Sequence, residues 1–257
     1  MPTFSEIPDG DDLPISATLY VTYRRCPQQA LARLQGIYQP PSRASFKGAL
    51  AHRLFARHLE RGPIPAADFD RVCREETGAN LNQQLSGVGL RPSEFRSVVS
   101  EVEELYRRFA AFPVDGFMEA EASFETDVGA GVHLRGRLDA VFAVDGGERI
   151  VDWKTGTRLE GDAEAQVGFY ALAWRKLHGS PPVASEAVSV VTGEAVGVSV
   201  SEAAIDRTED EIASMVVALR EAMVIEGELD RTAGPHCAWC PLLDDCSEGR
   251  SASELLG

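Results

Sequence analysis

The sequence predicts an α/β fold, one mixed core with a helical elaboration on its N-terminal side. Three observations carry that expectation. Apolar residues recur at helical spacing before residue 112, as Phe95, Val98, Val99, Val102, Leu105 and Phe109 do. Between residues 119 and 153 the period falls to two, the mark of strands. Beyond that a helical stretch, a second strand pair and a long amphipathic helix follow one another, as in a sheet covered by helices.

Taken in order, residues 1–12 are polar and acidic and are expected to fray. Ser16 suits the N-cap of a helix from Ala17, with Leu19, Tyr20 and Tyr23 inward. Cys26-Pro27 interrupts it, since proline lacks the amide proton a helix interior needs, and a second piece runs to Leu34. After the Pro40-Pro41-Ser42 loop, 46–59 reads as a helix with His52, Phe55, Ala56 and Leu59 on one face. Gly62-Pro63 ends it, 65–77 holds a short helix, and 78–90 shows no clear period and reads as loop. Pro92, at a first helical position, opens a helix to Phe112. Strands are expected at 119–126, 132–144 and 148–153, consecutive and antiparallel. A helix over 162–178 is stopped by Gly179 and Pro181-Pro182. A hairpin of 187–191 with 195–200, a helix over 202–226 and a loop-like, cysteine-rich tail from Arg231 complete the chain. The expected organisation is one domain, 1–257: a helical part (13–112), an α/β core (117–200), the long helix (202–226) and the cysteine segment (231–250).

With 257 residues, 44% hydrophobic and 25% charged, the chain has the make-up of a soluble globular protein with a large core. No apolar run approaches the roughly 18 residues of a membrane span, and the acidic start lacks a basic, apolar leader. The expected location is the cytoplasm, where five cysteines point to metal ligation or free thiols rather than disulfides. A net charge of −15 argues at first against binding nucleic acid. Its distribution is uneven, however. Leu13 to Leu59 holds seven basic residues (Arg24, Arg25, Arg33, Arg43, Lys47, Arg53 and Arg57) and no acidic one, while residues 1–12 carry −4 and 60–257 carry −18. That segment is either a phosphate-binding surface or a solvated helical face balanced by acids elsewhere in the fold.

The chain's chemistry centres on one hairpin. Val132, Leu134 and Leu138 share one parity, and Arg135, Arg137 and Asp139 the other. Asp145-Gly146 between Val144 and Gly147 predicts a two-residue type I′ turn. In that register Asp139 faces Asp152 across the ladder, and Lys154 shares their face. Two opposed carboxylates repel, and a divalent cation between them is one reason to keep the pair. The alternative is three solvent-facing charges, against which the neighbours Val141, Phe142, Val144, Ile150 and Val151 argue, because an unpaired buried carboxylate is costly. Carboxylate oxygens suit Mg²⁺ or Mn²⁺, and a lysine alongside can orient a water and offset charge on a phosphoryl group. The set looks like a metal site built for hydrolysis.

Gly136-Arg-Leu-Asp139, followed by Asp152-Trp-Lys154-Thr-Gly156, resembles the second and third motifs of the PD-(D/E)XK nuclease superfamily, specifically its RecB-like branch. Gln166 and Tyr170 match that branch's Q-x-x-x-Y motif and share a helix face, which implies that they hold the substrate backbone or position Lys154. His52 resembles the branch's upstream histidine, a metal ligand there. Glu121 lies in the strand where the branch often has an acid, though an exposed strand glutamate is an equal reading. Cys237-x2-Cys240-x5-Cys246, with Cys26 alone near the N-terminus, is similar to the iron–sulfur subset. That subset includes AddB-type helicase-nuclease subunits and the nucleases of CRISPR adaptation, which hold a [4Fe–4S] cluster on such ligands. By softness four thiolates suit iron–sulfur or Zn²⁺, so zinc stays open. Joining Cys26 to Cys237 would close a loop of about 211 residues and staple the chain ends. His236 is a substitute ligand in reserve, and Cys73 reads as a half-buried spectator.

The resemblance implies a restriction-endonuclease-like mixed sheet flanked by helices, and a metal-dependent DNA nuclease. It implies an exonuclease on single strands or free ends, in repair, recombination or CRISPR adaptation. His52, Asp139, Asp152 and the carbonyl of Trp153 would hold Mg²⁺ or Mn²⁺, Lys154 would orient the water, and Arg24, Arg25 and Tyr170 would meet the DNA. The sequence has no Gly-x4-Gly-Lys-Ser/Thr loop, so no fused helicase is expected. The acidic balance implies a partner protein that delivers DNA. It also leaves a second reading, a DNA-end-binding assembly module that cleaves little, against which the intact Asp–Asp–Lys set argues.

Overall fold

The computed structural model describes residues 3–157, 159, 162–198 and 200–256. Its centre is a mixed sheet of β1 (Leu13–Ile15), β2 (Phe117–Asp127), β3 (Val132–Val144), β4 (Gly147–Lys154), β5 (Ala184–Ser189) and β6 (Ala195–Gly197). β3 is the hub. One edge pairs antiparallel with β2 nearly end to end. The other edge is shared: β1 lies parallel to Val132, His133 and Leu134, and β4 antiparallel to residues 140–144. Between those two partners, no described strand pairs with residues 135–139 on that edge. The Gly-Arg-Leu-Asp run therefore sits in a gap of the sheet. β4 and β5 are parallel, joined through the helix α7 (Asp162–His178).

Helices cover both faces. On one, α1 (Ala17–Arg25), α2 (Pro27–Leu34), α7 and α8 (Glu202–Val224) bury Tyr20, Leu31, Phe169 and Leu219 against Leu134 and Ile150. On the other, α3 (Arg43–Arg61), α4 (Phe69–Glu76) and α6 (Pro92–Phe109) bury Phe46, Phe55, Val102 and Phe109 against Phe142, Val151 and Trp153. Truncating a fully buried phenylalanine such as Phe109 or Phe169 to alanine would cost about 3–5 kcal/mol. The central mixed sheet flanked by helices is the one the resemblance implied.

Several expectations are corrected. Of residues 1–12, the described ones are tied down rather than frayed. Phe4 and Ile7 are buried in the first core, and Arg220 donates to the carbonyls of Pro8, Asp11 and Ala130. The expected loop at 78–90 is a π-turn (Thr77–Leu81) running into α5 (Asn82–Val88). Leu81, Leu85 and Val88 pack on the second core at helical spacing, a pattern that Gly78 and Gly87 mask. α3 begins at Arg43 because Ser42 caps it, its hydroxyl accepting from Ser45 N at 3.1 Å. β5 starts three residues before the expected 187, since its parallel partner β4 extends it upstream. Its partner strand ends at Gly197 rather than 200, and Ser199 lies outside the described residues. After Arg231 the chain is not all loop, because α9 (Ser247–Leu256) closes it. The 144–147 turn lies where expected but is not type I′. Asp145 keeps a negative φ, and the positive angles fall on Gly146 (91°) and Gly147 (147°). Among the described residues no helix is long and apolar enough to cross a membrane.

Candidate active site

The hairpin register is the expected one from Val144–Gly147 to Ala140–Val151, and the ladder stops there. One step further, Asp139 replaces it with a side-chain bond. Its Oδ2 accepts from Trp153 N–H at 2.8 Å and lies 3.1 Å from His52 Nδ1. The inward phase of β3 also changes at this residue. Leu134 and Leu138 belong to the first core, Ala140 and Phe142 to the second, although all four share parity. β2 pairs Ala122 with Leu138 and Ala120 with Ala140, which sets Glu121 opposite Asp139. Glu121 carries the irregularity in its backbone, with φ +52°, a conformation that strains a non-glycine residue. Such breaks re-aim side chains, here toward α3.

On the α7 face, Asp152 and Lys154 share a network. Lys154 Nζ donates to Gln166 Oε1 (2.6 Å), and Gln166 Nε2 approaches both Asp152 Oδ1 and the Tyr170 hydroxyl at 2.9 Å. Gln166 and Tyr170 are brought to the site by their i, i+4 spacing. Asp152 is 3% exposed, and its Oδ2 has no hydrogen bond although Lys154 Nζ lies 2.6 Å away. Burial and the nearby Asp139 charge push the Asp152 carboxyl up to about 6. Burial would also raise Asp139, but His52 and the Trp153 amide outweigh it and hold its carboxyl below the usual range. In return, Asp139 overcomes the burial that disfavours the imidazolium and lifts His52 to about 9.

These groups line a cleft of about 560 Å³ with α1, which contributes Ala17, Thr18, Val21 and Arg25. Gly136 is required here by close approach, since a Cβ would lie 2.9 Å from the Phe124 ring. Lys154 C=O accepts from Val190 N–H on the β5 side, so the carbonyl one residue back, of Trp153, turns toward Asp139. Among the described residues, His52, Glu121 and Asp139 have ligand atoms all within 4.8 Å of one another. That trio, with the buried Asp152 oxygen that only Lys154 neutralises, fits a hard divalent cation. Glu121 thus joins the site. With the 128–131 turn placed, counting along β2 and β3 from Asp127 opposite His133 sets Glu121 opposite Asp139.

The basic segment is largely answered by acids. Arg24 meets Glu211 (2.9 Å) in a separate cavity between α1 and α8, and Arg25 pairs with Asp162 inside the cleft. Arg43 and Lys47 pair with Glu101, Arg53 with Glu76 and Glu121, and Arg57 with Glu75 and Glu76.

Cys26, Cys237, Cys240 and Cys246 line one pocket, although no three of their sulfurs lie within 4.8 Å of one another. Gly234 N–H points at Cys237 Sγ (3.4 Å) and Gly249 N–H at Cys246 Sγ (3.3 Å). Burial raises the Cys240 thiol, and the other three thiols add to the rise. Four converging thiols with amide donors fit a thiolate-bound metal group. His236 also lines the pocket, its Nε2 lying 3.1 Å from the Thr232 carbonyl and 3.8 Å from Cys237 Sγ. Cys73 is fully rather than half buried. It lies in the second core, and burial pushes its thiol up to about 12.

The family model for the PD-(D/E)XK nuclease superfamily matches residues 14–247. Among solved structures, the chain resembles a candidate exonuclease from Eubacterium rectale at 14% identity and a TM-score of 0.55, over 90% of this chain and 86% of that one. It also aligns with the protein SSO0001 at 14% identity and a TM-score of 0.39, over 95% and 89% of the two chains. No curated protein matches the sequence.

Proposed function

The chain belongs to the PD-(D/E)XK nuclease superfamily, phosphodiester hydrolases that use divalent metals such as Mg²⁺ or Mn²⁺, and on that premise we propose a metal-dependent deoxyribonuclease acting on single strands or free DNA ends. The observation that carries the reading is the convergence of Asp139, Asp152 and Lys154 with His52, Gln166 and Tyr170 in one cleft, with Glu121 beside His52 and Asp139. Asp139 and Asp152, with His52, Glu121 and the Trp153 carbonyl, are the residues that would hold the divalent ion. When bound, that ion lowers the pKa of a water and polarises the scissile phosphate. Lys154 is the group that orients the attacking water and offsets charge gathering on the phosphate. Gln166 acts through Lys154, tying its ammonium to Asp152 and Tyr170, and is a positioning residue. Arg25 stands in the cleft where an incoming phosphate would pass, whereas Arg24 lies outside it.

The RecB-like, iron–sulfur assignment is part of the same proposal. The one-plus-three cysteine spacing and the amide donors to sulfur support it. The whole of residues 1–257 is read as one nuclease domain, working in the cytoplasm in DNA repair, recombination or CRISPR adaptation with a partner that delivers DNA. The test uses anaerobically purified protein with end-labelled single-stranded and duplex DNA and Mn²⁺. Wild type is expected to cleave, while Asp139→Asn and Lys154→Ala remain folded and lose cleavage by at least about a thousandfold. Undiminished cleavage by either variant rejects the assignment.

A further inference from the structure

The cleft does not end at the catalytic pocket. A second cavity of about 390 Å³ opens on the α3 side and shares His52, Arg137 and Asp139 with the first. Its walls are α3 at Gly48 and Arg53 and the π-turn at Asn80 and Leu81. Wide turns of this kind are found mostly as single insertions near functional sites. Arg137 stands at the junction of the two cavities. Its side chain is 54% exposed, and one guanidinium nitrogen meets Glu121 at 2.9 Å, leaving other N–H donors of the fork facing the junction. Arg53 reaches the same carboxylate from α3 at 3.4 Å, and its Nε is buried without a hydrogen bond.

Glu121 is therefore the counter-charge of two arginines and, at the same time, one of the trio suited to a divalent ion. It cannot serve both fully. An ion on the carboxylate leaves the guanidinium of Arg137 short of negative charge at the point where the two cavities meet. A phosphodiester supplies that charge in a geometry the planar fork matches.

We propose that one nucleic-acid strand lies along both cavities, with Arg137 holding the phosphate next to the scissile one and the Asn80 turn lining the arm beyond. This rests on the nuclease reading and adds to it a strand path and a positioning residue. At about 560 and 390 Å³ the two cavities have room for nucleotides of one strand rather than for a duplex, so the strand that enters them is single. The path runs from α1 and Arg25 through the Asp139–Lys154 site to α3 and the π-turn.

The test reads binding, not turnover. In a Lys154→Ala background with Ca²⁺, fluorescence anisotropy of a labelled 12-nucleotide oligothymidylate is followed from 50 to 200 mM KCl. Each phosphate contact adds about 0.7 to the slope of log affinity against log salt for single strands. Arg137→Ala is expected to lower that slope by about 0.7 and weaken binding about tenfold, while Arg137→Lys keeps the slope. A purely structural role would leave the slope alone, and an Arg137→Ala slope equal to its parent overturns the path. Mn²⁺-dependent cleavage by wild type is measured in parallel. Absent cleavage with a lowered slope removes the nuclease reading and leaves the path standing. Cleavage with an unchanged slope removes the path alone.

Discussion

The cleft and the cysteine pocket both gather side chains of metal-ligand type from distant parts of the chain, yet they are held together in different ways. In the cleft every donor hangs on an element with its own reason to be there. β3 and β4 are clamped by the sheet, α3 and α7 are buried against its two faces, and Asp139, Lys154 and Gln166 are tied by protein hydrogen bonds. In the cysteine pocket Cys26 is anchored between α1 and α2, but the other three cysteines hang on short turns before α9. Cys240 and Cys246 are half-buried, and the exposed Trp239 (67%) lies between Cys237 and Cys240 in the chain. Gln28 does pin the segment's start, through Leu229 N–H to its side chain and its own N–H to Asp230. Beyond that its ties are local ones, such as those from Arg231 to the Asp245 carbonyl and from Arg250 to the Asp244 carbonyl. A preformed site uses its metal for chemistry, whereas a site assembled by its metal uses it for folding.

The sharpest way to break the contrast is to remove one ligand from each. Cys26→Ser is expected to free the segment after Asp230 and to lower stability by about 5 kcal/mol, on the loop-closure scale of a cross-link this long. Asp139→Asn should melt within a few degrees of wild type. Thermal melts and limited proteolysis of the two variants decide it, and equal melting of both erases the distinction. A smaller effect lies within the cleft. Gln166→Ala should lower kcat about a hundredfold through misplacement of Lys154, while DNA affinity and all but about 1 kcal/mol of stability survive. A matched fall in affinity would make Gln166 a substrate contact instead. The smallest effect concerns acid. The side-chain bond from Arg43, aided by Lys47, lowers the Glu101 carboxyl from 4.5 to about 2. A depressed acid contributes stability that is complete above the unfolded pKa, near 4.5, and is lost as pH falls toward 2. Because the group is more than a third exposed, the loss is under about 1 kcal/mol. Glu101→Gln should flatten the melting temperature of this region between pH 4.5 and 2.

Much of this was legible in the sequence because it depends on short-range rules. Ser16, Pro27, Pro92 and Gly179 mark helix ends through local backbone chemistry, and the Asp145-Gly146 turn fixed a register that proved right. The exceptions depend on partners far away in the chain. β1 is three residues long and exists because β3 offers it an edge. The basic residues of α3 look like a surface for phosphate until Glu76, Glu101 and Glu121 fold beside them. Asp139 and Asp152 were placed as a facing pair, but a ladder that stops one residue early turns Asp139 to His52 and the Trp153 amide. Periodicity could not show that break, because the phase of β3 changes at the residue in question.

The left-handed Glu121 ties backbone strain, ion pairing and chemistry to one position. A glycine there would relax the backbone by on the order of 1 kcal/mol, but it would also strip Arg53 and Arg137 of the carboxylate they share. Laboratory evolution for heat resistance alone would weigh those two effects and be blind to the third, the loss of a carboxylate from the site. Only a selection that also scores turnover would hold position 121 in place.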